Sequence, residues 1–269
     1  MSDPRRHHFV PQFLLERFVE ADGSLYVWRK DNGNIFESSP KGTFFETNLY
    51  ASTSADGRKD LSVEKKLSDI EGKAGNVIRS VIADVQDGRS PRLDTIHRGI
   101  LDTFFYCQML RIPDFLNATP TVRAYRAAGG SEGILQKAKV AALDGSFKGE
   151  PLQIALEVMR GCQQVVGVAG DMHRFVIGSL PVMLFNDPPG SRRGMIWLPI
   201  TPKLLIGYKS QDGSRTRPTA AFEIMQLDDR YVENINLAAF RQSSMVASGS
   251  EEYLKMVCGL TTGGAFEGS

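Results

Sequence analysis

The longest regular pattern in this 269-residue chain is an amphipathic helical repeat. Apolar residues recur at spacings of three and four, the period of one helix face, at Val63, Leu67, Ile70, Ala74, Val77, Val81 and Val85. The repeat predicts a helix of roughly six turns. A second helix is predicted from about Thr95 to Arg111, because the residue before a proline avoids the helical conformation and Ile112-Pro113 follows. Weaker patterns predict helices over about 131–143 and 151–168, within a helical zone spanning 60–172.

Short apolar runs on both sides of this zone predict β-strands. In the N-terminal part, over 5–56, a strand at Leu25–Trp28 and a turn at Asp31–Asn34 predict a hairpin leading to Ile35-Phe36. The zone over 173–258 predicts strands near 175–177, 182–185, 195–198, 204–208 and 245–247, and helices near 231–242 and 251–258. Because helices and strands are segregated, we expect an α+β fold, with the helical middle zone packed against a mainly antiparallel sheet built from both ends of the chain. We expect one domain over 1–260 and a flexible tail over 261–269.

The composition excludes several classes of protein. Lys and Arg total 32 against 31 Asp and Glu, so the large basic excess of a mainly electrostatic nucleic-acid or membrane binder is missing. Three scattered cysteines without a CxxC pair, no apolar signal segment and no long apolar run predict a cytoplasmic protein without a membrane span. No P-loop, GxSxG or HExxH motif occurs.

The most distinctive motif is His7-His8-Phe9-Val10-Pro11, which precedes a short predicted helix beginning near Pro11. A helix N-terminus presents unpaired N–H groups and positive potential, which favours an anion such as phosphate and keeps a nearby imidazole neutral. A neutral imidazole acts as a base or a metal ligand. Because adjacent residues of an extended segment point to opposite sides, we expect only one of His7 and His8 to reach a site. The alternative is that a histidine hydrogen-bonds to lock the N-terminal segment in place.

A polar trio interrupts one face of the second helix. Helical spacing places on that face His97, Leu101, Phe104, Gln108 and Arg111. Arg111 has the geometry to bind a phosphate or carboxylate through two nitrogens, and Gln108 to orient a water or the arginine. The alternative is a buried Arg111 paired with Glu64 or Glu71, tying two helices together. The two glutamates lie about 10 Å apart along their helix, which is too far for them to share one metal. A divalent metal site formed by His8 and Glu64 is a further alternative.

Several motifs together resemble the bacterial family known as domain of unknown function 4238. The matching elements are the HHxVPxxxLxxF opening at 7–18, a strand at 23–28, Asn48-Leu49-Tyr50, the acidic helix positions Glu64 and Glu71, the QxxRxP helix end at 108–113 and a PLxP element at 198–202. The family's SDxP element is degenerate in Gly178-Ser179-Leu180-Pro181, because Ser179 stands before Pro181 where relatives usually carry an acid. The resemblance implies that any step using this acid is lost or replaced here. The family is functionally uncharacterised, so it supplies a residue map rather than a reaction.

The opening is also similar, over this short stretch only, to HNH-type nucleases, in which a histidine near a hairpin activates water and other residues bind a metal. Asn48 would correspond to the middle asparagine of that motif. No third histidine has a suitable spacing, because the next one is His97.

Two function hypotheses follow. In the first, the chain is a metal-dependent phosphodiesterase or nuclease that binds nucleic acid or a small phosphorylated ligand at a local site. Its base, ligands and substrate clamp would come from His7, His8, Glu64, Glu71, Gln108 and Arg111, which would converge with Asn48 on one concave pocket. In the second, the chain is a non-catalytic binding or regulatory module, and the same residues form a buried, mutually hydrogen-bonded network without an open pocket.

Overall fold

The computed structural model describes residues 6–53, 58–147, 150–186, 194–210 and 219–263, and its fold class is α+β. The helices of these residues are α1 Gln12–Leu15, α2 Ser62–Gln86, α3 Thr95–Leu110, α4 Pro113–Ala118, α5 Pro120–Ala127, α6 Glu132–Ser146, α7 Glu150–Arg160, α8 Asp229–Gln242 and α9 Glu251–Gly263. The strands are β1 Arg6–His8, β2 Leu25–Arg29, β3 Ile35–Ser38, β4 Phe45–Thr47, β5 Ser52–Thr53, β6 Lys59–Asp60, β7 Gln163–Ala169, β8 Ile177–Gly178, β9 Met183–Asn186, β10 Gly194–Thr201, β11 Leu204–Lys209, β12 Glu223–Leu227 and β13 Met245–Ser248.

The chain divides into two compact units. The first comprises the described residues of 1–9, 45–162 and 215–221, and so contains α2 to α7 with the two-stranded ribbons β1–β4 and β5–β6. The two long predicted helices are confirmed as α2 and α3. Asp94 caps α3 by accepting the N–H of His97 at 2.8 Å, and Arg111 follows as the C-terminal cap residue. The apolar stripe of α2 is buried, which explains why its periodicity was visible in the sequence.

The second unit comprises the described residues of 10–44, 163–214 and 222–269 and contains both larger sheets. The five-stranded sheet has the order β12-β7-β11-β10-β9, and only its β12–β7 pair is parallel. The four-stranded sheet has the order β3-β2-β13-β8, so it is built from both ends of the chain as predicted. The predicted β2–β3 hairpin is present, with Gly33 at a φ of +70° in its turn. Helices α8 and α9 pack their buried residues into one core with both sheets.

The helix predicted over 151–168 is wrong in its second half. Helix α7 ends at Arg160, and residues 163–169 form the strand β7, so the helical zone ends before the predicted residue 172. The valines of β7 are buried or nearly so on both faces of the strand, which lies between β12 and β11 in the sheet. A short run that is apolar on both faces shows no alternation, so periodicity alone cannot separate it from a buried helix.

Two short helices were not predicted. Ile112-Pro113 does end α3, but Pro113 and Pro120 then open α4 and α5, because proline fits the first turn of a helix. At the other end of the chain, residues 261–263 still belong to α9, and 264–269, the rest of the predicted tail, lie outside the described residues. Among the helices that the structure describes, none combines the length and the apolarity needed to cross a membrane.

Candidate functional site

The histidine pair lies on β1, which pairs with β4 in antiparallel register. His7 is 1% exposed, whereas His8 is half-buried and its ring lies 5.6 Å from that of Phe45. Arg6 covers the same Phe45 ring, with its Cζ 4.7 Å from the ring centroid. Because side chains alternate along a strand, His7 occupies one face of the ribbon, and Arg6 with His8 the other. The two histidines therefore point to opposite sides, as the extended segment predicts.

His7 fixes the N-terminal strand to Tyr50. Its Nδ1 accepts the backbone N–H of Tyr50 at 2.8 Å, and the two rings stack with centroids 5.6 Å apart and planes 11° from parallel. A ring nitrogen that accepts a hydrogen bond carries no proton, so the neutral imidazole is protonated at Nε2. His7 thus links β1 to the loop that carries Tyr50.

Arg111 is the centre of the network. It is 2% exposed, and its guanidinium contacts the Glu71 carboxylate through Nη1, the His8 carbonyl through Nη2 and the Tyr50 hydroxyl through Nε, the last at 3.2 Å. The Tyr50 hydroxyl in turn donates to the Arg111 carbonyl at 2.8 Å. Burial disfavours the charged form of Arg111 and so lowers its pKa. The interactions with Tyr50 and Glu71 outweigh the effect of burial, and the pKa of the guanidinium is raised. Arg111 therefore joins α2, α3 and β1, and its ion-pair partner is Glu71 rather than Glu64.

Glu64 contributes an unpaired carboxyl oxygen near this cation. Its Oε2 is buried and has no hydrogen-bond partner among the described residues. Burial raises the pKa of Glu64 to about 7, the charge of Arg111 opposes this rise, and the carboxylate of Glu71 adds to it. A carboxyl group with such a pKa is protonated about half of the time at neutral pH.

Gln108 is the second buried group without a partner. Its side chain is fully buried, and neither its Nε2 nor its Oε1 makes a hydrogen bond to a described residue. It precedes Arg111 by three residues and so lies on the same face of α3. An unsatisfied buried amide costs about 1–3 kcal/mol, so a group of this kind is normally satisfied by water or a ligand.

The Asn48-Leu49-Tyr50 element is held by a residue that the sequence did not single out. Gln136 on α6 donates its Nε2 to the carbonyls of Asn48 at 2.8 Å, Leu49 at 2.7 Å and Ala51 at 3.2 Å. Asn48 has a φ of +59°, and its Oδ1 accepts the Lys59 ammonium at 3.0 Å. Asn48 and Gln136 thus shape the loop that presents Tyr50. The sequence gives only a weak signal for this role of Gln136, which is an uncharged polar residue next to the buried Leu135 of α6.

Replacing Gln136 with Glu is expected to lower the free energy of unfolding by about 1–3 kcal/mol. The substitution keeps the size of the side chain but removes both N–H donors and places a carboxylate against three carbonyl oxygens. Urea denaturation measures the change, and Gln153→Glu on the exposed side of α7 is the control for the added charge. Equal stability of the two variants would contradict the role given to Gln136.

The remaining predicted site residues belong to the second unit. Ser179 is buried, and its Oγ accepts the backbone N–H of Ser244 at 3.0 Å, which ties β8 to the start of β13. Pro181 is buried as well.

Pro11 is the N-cap residue of α1, which spans only four residues. A single turn aligns few peptide dipoles, so the anion site expected at this helix start has little physical basis.

The described residues do not offer a ready metal centre. Within them, no group of three or more His, Cys, Asp or Glu side chains is arranged to hold a metal ion. Among these residues, no such group forms around His8 or Glu64, where the sequence placed a divalent metal.

The pKa of Glu64 predicts a pH dependence of stability. The folded protein holds this proton more tightly than an unfolded chain with the ordinary value of 4.5. The stabilisation that comes from this tighter proton binding is therefore fully present below about pH 4.5 and is lost as the pH rises through about 7. We expect chemical denaturation to show that wild type loses stability relative to Glu64→Gln between these values. A constant difference between the two proteins across this range would contradict the raised pKa.

One family model covers the part of the chain that contains the Arg111 network. A family model described as "Protein of unknown function (DUF4238)" matches residues 6–148. The matched segment contains every residue of the Arg111 network, whereas the elements at 178–181 and 198–202 lie outside it. No curated protein and no solved structure matches the chain.

Proposed function

We propose a function for this chain, which belongs to the family described as Protein of unknown function (DUF4238), from the chemistry around Arg111. The proposed activity is hydrolysis of phosphodiesters, with Glu64 accepting and returning the proton. The observation that carries the proposal is the buried, unpaired Oε2 of a carboxyl whose pKa is about 7. Residues with strongly perturbed pKa values cluster at functional sites, and a proton-transfer group works best when its pKa lies near the working pH.

The proposed step needs only water as a co-reactant. The oxygen of a water molecule bonds to phosphorus while the Glu64 carboxylate takes one of its protons. The bond between phosphorus and the leaving oxygen breaks, and the proton returns from Glu64 to that oxygen. The products are a phosphate monoester and an alcohol. Gln108 is the residue that would hold the water, because its amide has a free donor and a free acceptor among the described residues.

The substrate class rests on the charge of the site. A phosphodiester is an anion, and the buried Arg111 places a fixed positive charge close enough to Glu64 to oppose the rise of its pKa. Electrostatic stabilisation by such preorganised groups is usually the largest part of catalysis on charged substrates. The proposed substrates are a nucleic acid or a small phosphodiester, bound through a few placed groups rather than through an overall basic surface.

A second candidate function is a non-catalytic binding or regulatory module, and one observation favours it. Arg111 already uses its three nitrogens on Glu71, the His8 carbonyl and Tyr50, as expected of an arginine with a purely structural role. Under this alternative the network holds α2, α3 and β1 together, and the state of Glu64 has no chemical consequence.

An assay of phosphodiester cleavage tests the proposal. Purified protein is incubated with bis(p-nitrophenyl) phosphate and with single- and double-stranded oligonucleotides, with added magnesium or manganese and with chelator. We expect cleavage of at least one substrate by wild type and its loss in Glu64→Gln. Absence of cleavage of every substrate under every condition, in protein that is folded by circular dichroism, would reject the hydrolase and favour the binding module.

A further inference from the structure

The first unit contains a cavity that the proposed hydrolysis does not use. It has a volume of about 590 Å³ and lies between the second half of α2, the segment before α3 and the first turns of α3. Its polar lining consists of Lys73, Asn76, Ser80, Arg92, Asp94 and His97. The apolar part of the wall includes Val77 and Ile100. The volume falls within the range of small-molecule sites, about 300–1,000 Å³. We call this space the α2–α3 cavity.

Basic groups from three parts of the chain face the α2–α3 cavity. Lys73 comes from α2, Arg92 from the segment before α3, and His97 from α3 itself. His97 shares a helical face with Gln108 and Arg111 in the sequence, but it is 54% exposed and lines this cavity instead.

The carboxylate in this lining is engaged with His97. Asp94 accepts the backbone N–H of His97 at 2.8 Å through Oδ1, and its Oδ2 lies 2.9 Å from the His97 Nδ1. Lys73 also contacts a carboxylate, that of Asp69, at 2.6 Å on the side of a neighbouring depression. The guanidinium of Arg92 is therefore the principal cation for a ligand, with Lys73 beside it.

The neighbouring depression extends the site in an apolar direction. It has a volume of about 310 Å³ and shares Lys73 and Ile100 with the α2–α3 cavity. Its wall adds Ile70 and Ile96, and Ile96 is a large apolar side chain left exposed at the surface. The two spaces together combine the cations Arg92 and Lys73 with an aliphatic wall, and the depression also has the Asp69 carboxylate in its lining.

We propose that the α2–α3 cavity binds a small phosphorylated molecule with an apolar or aromatic body, of the size and chemistry of a mononucleotide. Arg92 and Lys73 bind the phosphate, because guanidinium and ammonium groups form the strong charge-assisted hydrogen bonds that phosphate accepts. Asn76 and Ser80 supply neutral hydrogen bonds. The body of the ligand packs against Val77 and Ile100. This site is separate from Glu64 and Arg111 and does not depend on the proposed hydrolysis.

Isothermal titration calorimetry of the full chain with adenosine monophosphate, adenosine and inorganic phosphate tests the proposal. We expect the monophosphate to bind at least about tenfold more tightly than either of its parts, because tenfold corresponds to about 1.4 kcal/mol, close to the lower end of what one hydrogen bond to a charged group contributes. Absence of measurable binding of the monophosphate would overturn the proposal. If adenosine bound as tightly as adenosine monophosphate, the role given to the phosphate would be overturned. If inorganic phosphate bound as tightly as the monophosphate, the role given to the apolar or aromatic body would be overturned.

Matched variants assign the binding to the cavity. Arg92→Gln and Lys73→Gln are each expected to weaken binding of adenosine monophosphate about tenfold or more, close to the lower end of what a lost hydrogen bond to a charged group costs. Arg123→Gln removes the same charge from an exposed position on α5 outside the cavity and is expected to change nothing. Equal effects of Arg92→Gln and Arg123→Gln would overturn the proposal. Binding that is weakened in Arg92→Gln and kept in Arg123→Gln belongs to this cavity whether or not the chain hydrolyses phosphodiesters, so failure of the hydrolase proposal leaves this test unaffected.

Discussion

Replacing Arg111 with Ala is expected to lower the free energy of unfolding by about 3–5 kcal/mol, the usual cost of removing one partner of a buried ion pair. The loss has a specific cause in this structure. The Glu71 carboxylate, which is 23% exposed, loses its cation, and the His8 carbonyl and the Tyr50 hydroxyl lose a donor. The substitution also removes a large side chain that is almost completely buried.

Two further variants show whether geometry or charge carries this effect. Arg111→Lys keeps the positive charge but replaces a planar fork by a single ammonium, which cannot reach three acceptors at once, so an intermediate loss is expected. Arg79→Ala removes an exposed arginine of α2 that hydrogen-bonds to Asn76, and a change of about 0.5 kcal/mol or less is expected. Equal stability of Arg111→Ala and Arg79→Ala in urea denaturation would contradict the account of the network.

Replacing Glu64 with Gln is expected to reduce phosphodiester hydrolysis by about 10²–10⁴-fold, the usual contribution of a positioned proton-transfer group. Glutamine matches the size and hydrogen-bonding shape of the protonated acid but cannot accept a proton at neutral pH. The fold is expected to stay intact, because the change removes a carboxylate whose charged form is disfavoured by burial.

The control for this variant lies on the same helix. Asp69→Asn removes an exposed carboxylate of α2 that pairs with Lys73 and lies outside the Arg111 network, so the rate is expected to stay close to that of wild type. Retention of full hydrolysis by Glu64→Gln would remove Glu64 from the mechanism. Equal losses in both variants would attribute the effect to the helix rather than to the proton-transfer group.

The elements that could be predicted are those whose signal is local. Helix α2 and the β2–β3 hairpin follow from spacing and turn residues, because one face of α2 is buried and Gly33 meets the backbone requirement of its turn. Strand β7 could not be distinguished from a helix, since its valines are buried on both faces. The end of α7 at Arg160 and the start of β7 at Gln163 depend on strand partners that are distant in sequence.

Most residues of the Arg111 network could be predicted from the sequence, but the partner that each of them contacts could not. Helical spacing identified Glu64, Glu71 and Arg111 as facing residues, yet the choice between the two glutamates depends on the crossing of α2 and α3 in space. In the sequence Tyr50 is marked only by the Asn48-Leu49-Tyr50 motif, and its place between His7 and Arg111 follows from a loop held by Gln136. Such contacts join residues far apart in the chain, so no periodicity records them.

The state of the Glu64 carboxyl is the property on which the proposed function depends, and carbon-13 NMR of the glutamate side chains measures it directly. The carboxyl signal of Glu64, assigned by its absence from Glu64→Gln, is followed while the pH is varied. The account predicts a titration midpoint near 7, because burial disfavours the charged form. A midpoint near 4.5, the ordinary value for glutamate, would contradict the account.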